Sequence, residues 1–182
     1  AVVGFVIDFL IKEGQGMGAT EFGGHIVICG WNSTARELIE ELRTDEYKVK
    51  VVLLHDSEKS PAGEGVYFVH GDAASAEDLD RAGIKHASSA IICPTDTSDG
   101  ADMRTLLIVL AIEDIAPGVR TVVEVNNPRH LPHFNRTRVD EILVTSRLAS
   151  RLLARTAMYP GLSGLVTDIV SGGEGSELYR VV

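Results

Sequence analysis

The residues best placed to do chemistry lie in one short loop, Gly30-Trp31-Asn32-Ser33-Thr34-Ala35, between an apolar run and a stretch of helical spacing. A turn of this kind brings backbone N–H groups and a helix N-terminus up to a phosphate. Gly30 is the first glycine of a dinucleotide fingerprint, Asn32 stands where the second belongs, and Ala35 replaces the third. The hydroxyls of Ser33 and Thr34 add donors. Asp56 ends the second apolar run 26 positions after Gly30. A carboxylate there accepts from ribose hydroxyls, the usual spacing being about 20. Gly71, Asp72 and Ala73 follow the third run, and Thr95 and Asp96 the fourth. Singly, each is turn or cap chemistry. Together they are four strand ends converging on one crevice, suited to a nucleotide with adenine and ribose moieties.

Other residue groups carry less. Thr95–Asp102 (TDTSDGAD) sets three aspartates around a glycine, but the twelfth position from Asp96 is Leu107, not an acidic residue, so the calcium-loop spacing fails. It reads as a solvated strand-to-helix turn. His130 and His133 flank Leu131-Pro132 with no adjacent Cys or carboxylate, and Pro132 argues against a helix through them, so they read as surface residues. Cys29 and Cys93 each close an apolar run and read as reduced core thiols. No nucleophile stands beside a base and an oxyanion hole, and no His, Lys or Tyr is placed as a proton donor, so the chain does not read as an enzyme.

The elements that position these residues alternate. Apolar, β-branched runs occur at His25–Cys29, Val49–Leu54, Val66–His70, Ala90–Cys93, Thr121–Val125 and Glu141–Val144. Segments of helical spacing intervene, among them Ser33–Arg43, Ala76–Ala82 and Asp102–Ile115. Near-continuous apolar strands between amphipathic helices fit a parallel sheet covered on both faces. The expected fold is therefore α/β, a doubly wound, Rossmann-like sheet of six parallel strands. In the first helix Asn32 or Ser33 caps the N-terminus, Glu37 falls in the first turn, and Ala35, Leu38, Ile39 and Leu42 face the sheet. Two helices, Ser146–Met158 and Leu162–Val170, are surplus to that sheet. Leu162, Leu165, Val166, Ile169 and Val170 need cover, which favours a crossing to a second subunit over folding back.

Composition bounds the partners. The chain has 182 residues with 26 carboxylates against 17 Lys and Arg, a formal charge of −9. An acidic chain lacks the basic face that neutralises nucleic-acid phosphates. The apolar start Ala1–Ile11 is too short for a bilayer span of about 20 residues. It is either a packing helix or the end of a longer membrane helix. Glu13–Gly24, with five glycines in twelve residues, is a linker. Ser171–Ser176 is a second Gly-rich breaker before Glu177–Val182, and the chain reads as cut at both ends.

On HIVICGWNSTA (His25–Ala35), FVHGDAASAEDLDRAGI (Phe68–Ile84), the Asp102–Pro117 helix and VTSRLASRLLA (Val144–Ala154), the chain resembles the RCK (KTN, TrkA-N) regulatory domains of prokaryotic potassium channels and transporters. The resemblance covers about 25–171. It implies that 1–24 are the end of an inner pore helix and its linker, and that 25–145 are the Rossmann-like lobe. By the same resemblance 146–171 are crossover and dimerisation helices, and 172–182 open a further lobe. It implies a dimer within an octameric gating ring at the cytoplasmic face of the membrane, coupled to a pore upstream in the same polypeptide. The ligand in such domains is NAD or another adenine nucleotide, or calcium. The calcium pattern pairs carboxylates on the fifth strand, where Glu124 matches the first and Asn126 replaces the second. Two further functions stay open: a small NAD-dependent oxidoreductase, and an assembly module without a ligand.

Overall fold

A computed structural model describes residues 22–44 and 49–170. The expected apolar start, most of the first linker and Ser171–Val182 lie outside them. By its contacts the chain divides into two compact units, 1–144 and 145–182.

The first unit is built on six strands: β1 (Ile26–Cys29), β2 (Val51–His55), β3 (Tyr67–His70), β4 (Ser89–Ile92), β5 (Arg120–Glu124) and β6 (Glu141–Leu143). They form one sheet in the order β3-β2-β1-β4-β5-β6. Every pairing is parallel, as between Val27 and Val52 or Val27 and Ala90. The doubly wound six-stranded sheet is as expected, with strand starts within two residues of their apolar runs. The strand order reverses between β1 and β4, which is where a sheet of this kind opens a crevice at its carboxyl edge.

Strand alternation sorts the core into two clusters. Val27, Cys29, Val52, Leu54, Ala90, Ile92 and Val123 pack with Leu79 of α2 (Ala76–Arg81) and with Ile108, Val109 and Ile112 of α3 (Asp99–Ile115). Ile28, Leu53 and Phe68 pack with Ala35 and Ile39 of α1 (Ser33–Leu42), with Leu38 and Leu42 half-buried beside them. Asn32 is the cap of α1, so Glu37 stands one residue beyond its first turn.

Two local expectations change. α3 begins at Asp99 rather than Asp102, because the Ser98 hydroxyl caps it by accepting from Ala101 N at 3.2 Å. The His130–His133 segment is helical: a 3-10 turn, Pro128–His130, runs into α4 (Leu131–Phe134). Pro132 sits in the first turn of α4, where no backbone N–H is needed.

The second unit contains α5 (Thr145–Met158) and α6 (Leu162–Val170), separated by Gly161 at φ +87°. Leu148, Leu153, Met158, Tyr159 and Leu165 are exposed on it. Among the described residues no helix is long and apolar enough to cross a membrane.

Candidate functional site

The end of β1 fixes the crevice. Gly30 sits at φ +89°, and a Cβ on it would lie 2.1 Å from the Cys93 carbonyl oxygen. Only glycine permits that approach of the β1 and β4 ends. Gly30 N donates to Leu54 O at 3.1 Å, tying the turn to β2. Gly71 has a milder constraint at the end of β3, where a Cβ would lie 2.5 Å from the carboxyl carbon of the Asp78 side chain.

Asn32 and Thr34 are held from the end of β5. Asn32 Oδ1 accepts from Ala35 N at 2.8 Å, and its Nδ2 donates to Pro94 O at 2.9 Å and to Glu124 Oε2 at 3.0 Å. Thr34 Oγ1 donates to Glu124 Oε1 at 3.0 Å. The buried carboxylate at the end of β5 therefore clamps the first turn of α1 from both oxygens. The Asn32 side chain, in place of a glycine, is spent on this clamp. It is not among the groups lining the crevice.

That crevice is a shallow cleft, open to solvent, at the carboxyl ends of β1, β2, β3 and β4. Gly30, Asp56, Gly71, Ala73 and Thr95 line it, which brings together five of the residues named from sequence. Trp31, Asn32, Ser33 and Thr34 belong to the loop and α1 beside it, and Trp31 packs on the α1 core cluster. Asp72 lies just behind the rim: its Oδ1 accepts from Ala74 N at 2.8 Å and from Arg104 at 2.9 Å. Asp96 is exposed, and bonds from the Ser98 hydroxyl and backbone N–H hold its carboxyl below the usual range.

Sequence reasoning missed three polar lining residues, His55, Arg104 and Thr105, along with apolar ones such as Ala101 and Ile108. The helical signal was available, since Ala101, Arg104, Thr105 and Ile108 share one face of α3, and all four line the crevice. Burial pushes the His55 pKa down, partly offset by Asp56 at 3.4 Å, which favours its neutral form. Asp56 itself is exposed and free to accept from a ligand hydroxyl.

Beyond β5 a second carboxylate organises the chain. Asp102 is fully buried and accepts from Asn126 N and Asn127 N, both at 2.9 Å. His130 Nδ1 lies 2.7 Å from its Oδ2. His130 is thus a half-buried partner of Asp102, not the surface residue expected. Asn126 donates its side-chain amide to Asp96 O at 2.7 Å, while Glu124 serves Asn32 and Thr34. Among the described residues no group of three or more His, Cys, Asp and Glu side chains is arranged to hold a metal ion. Cys29 and Cys93 are free and buried, and burial pushes both thiols up to about 12.

A doubly wound parallel sheet with a glycine-closed crevice at its switch point defines a Rossmann-like α/β domain. The family profile described as the TrkA-N domain matches residues 26–145, and the chain belongs to that family. Its curated relatives include potassium channels, and the solved GsuK RCK domain shares its fold. It is 29% identical over 163 residues to the calcium-gated potassium channel TvoK of Thermoplasma volcanium, covering 86% of this chain and 47% of the relative. It is 25% identical over 158 residues to the voltage-gated potassium channel Kch of Escherichia coli, covering 83% of this chain and 37% of the relative. The chain thus spans about half or less of these curated relatives. The solved GsuK channel bound to NAD shares the fold, with a TM-score of 0.64 and 18% identity over 81% of this chain and 26% of the other.

Proposed function

We propose that the chain is the ligand-sensing lobe of a potassium channel, binding an adenine nucleotide such as NAD or ADP in the crevice between β1 and β4. The observation that carries this reading is the Gly30 turn: without a Cβ it closes onto the Cys93 carbonyl and so lines the crevice together with the Asp56 carboxylate. The residues present fit the group. Asp56 would accept from ribose hydroxyls, the backbone at Gly30 and Gly71 would approach the phosphates, and Thr95 would add a hydroxyl. Asn32 departs from the fingerprint without obstructing it, because its side chain is committed to Pro94 and Glu124. Support also comes from the family, whose relatives include potassium channels and an NAD-bound channel structure.

In this reading the lobe works by coupling, not by catalysis. Residues 25–145 form the sensing lobe, and α5 and α6 within 146–171 pair two copies through the exposed Leu148, Leu153 and Leu165. Residues 1–24 join the lobe to a pore on the membrane side, and 172–182 lead into a further lobe. Ligand biases the pore only through its different affinity for two ring states. A ligand that prefers one state roughly tenfold shifts their ratio roughly tenfold for each site filled.

Titration of the chain with NADH, ADP and Ca²⁺, followed by the emission of its single tryptophan, Trp31, tests the reading. A saturable change with a nucleotide, lost in Asp56→Ala, supports it. Silence with both nucleotides contradicts it, and a response to Ca²⁺ alone would transfer the sensing role to a cation.

A further inference from the structure

Most lining groups of the crevice are neutral or backbone, and Arg104 differs from them. Among the described residues that line it, Arg104 is the one permanent cation, set against Asp56 as the one carboxylate. It projects from the second turn of α3, on the face it shares with Ala101, Thr105 and Ile108. Its guanidinium rests on Asp72 Oδ1 at 2.9 Å, and both side chains of the pair are about half exposed, at 47% and 48%. A pair so open to water is weakly held and easily exchanged. Asp72 would not be left stranded by losing it, because the same oxygen also accepts from Ala74 N at 2.8 Å. The turn after β3 has further support from Asp78, which accepts from Asp72 N at 2.9 Å and pairs with Arg81 at 2.7 Å.

We infer that Arg104 is the specificity-determining residue of the crevice: it exchanges Asp72 for the phosphate of a bound nucleotide, so that the site selects phosphorylated adenosine ligands over adenosine itself. The inference rests on the reading of the crevice as an adenine-nucleotide site. A chain of net charge −9 repels a free phosphate, so an anion entering the crevice needs a local cation. The guanidinium fork meets phosphate oxygens in a bidentate geometry that an ammonium does not reproduce. Asp56 accepts hydroxyls and repels phosphate, which orients the ribose toward β2 and leaves the phosphates toward α3. The carboxylate of Asp72 is then the internal competitor, and ligand phosphate frees it.

The test compares ADP with adenosine by calorimetric titration of the chain and of three variants, each first shown to melt cooperatively. Arg104→Gln is expected to weaken ADP binding about tenfold or more, the scale of a lost charge-assisted hydrogen bond, with adenosine unchanged within about twofold. Arg104→Lys restores part of the loss, by charge without the fork. Asp72→Asn removes the competitor while keeping an acceptor for Ala74 N, and should tighten ADP alone. Equal loss of ADP and adenosine in Arg104→Gln, or no loss of either, would overturn the inference while leaving the nucleotide reading intact. Wild-type protein that binds neither ligand would overturn both.

Discussion

Removing the Glu124 carboxylate with Glu124→Ala gives the sharpest view of how the loop is held. Both of its oxygens accept hydrogen bonds at 3.0 Å, from Asn32 Nδ2 and Thr34 Oγ1, and the residue is 7% exposed. In the variant Asn32 keeps Pro94 O as a partner at 2.9 Å, whereas the Thr34 hydroxyl loses its acceptor. A hydrogen bond to an ionised group contributes about 1.5–3 kcal/mol, and water entering the space recovers part of two such bonds. The expected loss is therefore about 2–4 kcal/mol, a large share of the roughly 5–15 kcal/mol that holds a domain together. Glu124→Gln keeps one oxygen as an acceptor and should cost about 1 kcal/mol. Urea unfolding followed by Trp31 reads the change next to the loop itself. The nucleotide affinity should fall with it, because the first turn of α1 is no longer fixed. An unchanged urea midpoint in Glu124→Ala, together with loss of a Ca²⁺ response, would refute this reasoning and make Glu124 a metal ligand instead.

Three more expectations follow from the geometry. Gly30→Ala must place its Cβ against backbone, which no rotamer relieves, at a φ of +89°; the loss should reach about 3 kcal/mol or more in a urea melt, with nucleotide binding abolished. Burial lowers the pKa of His25, opposed by its bond to Ala82 O and reinforced by His86 and Lys50, and burial likewise lowers His55. The unfolded chain then binds more protons than the folded one, so stability should fall as the pH drops below about 6.5 toward the lower folded values. His25→Leu should flatten that slope, and an identical slope in the variant would assign it to other groups. The thiols of Cys29 and Cys93, pushed up to about 12, should resist iodoacetamide in the folded protein at about pH 8 and react once it is unfolded in urea. Ready alkylation of the native chain would show that the sheet ends open.

Much of the fold was legible because a sheet buried on both faces writes its strands as near-continuous apolar runs. Val51–Leu54 and Val27–Cys29 are fully or almost fully buried, and no solvent face interrupts them. The crevice glycines and Asp56 were legible for a related reason, since they stand at strand ends that the topology brings together. What stayed hidden depends on partners distant in sequence. Asn32 looks like a defect in a glycine fingerprint until Glu124, 92 positions away, takes its amide. His130 looks like a surface residue until Asp102, 28 positions back, is placed beneath it. Arg104 lay inside the expected helix, but its place at the crevice depends on the α3 face packing beside the turn after β3, where Asp72 takes its guanidinium 32 positions away. Of the lining residues, the late helix start hid only Ala101, because the Ser98 cap went unread. Pro132 was read as a breaker, although a proline in the first turn costs a helix no hydrogen bond.

In the proposed reading an adenine nucleotide binds in the crevice at the β1–β4 switch point. Hydrogen–deuterium exchange of the chain with and without saturating ADP locates the contact by backbone amide. Slower exchange concentrated at Gly30–Thr34, Gly71–Ala74 and the first turns of α3 is the predicted result. Protection confined to Glu124–Asn127 or to α5 and α6, or no protection anywhere, would contradict it.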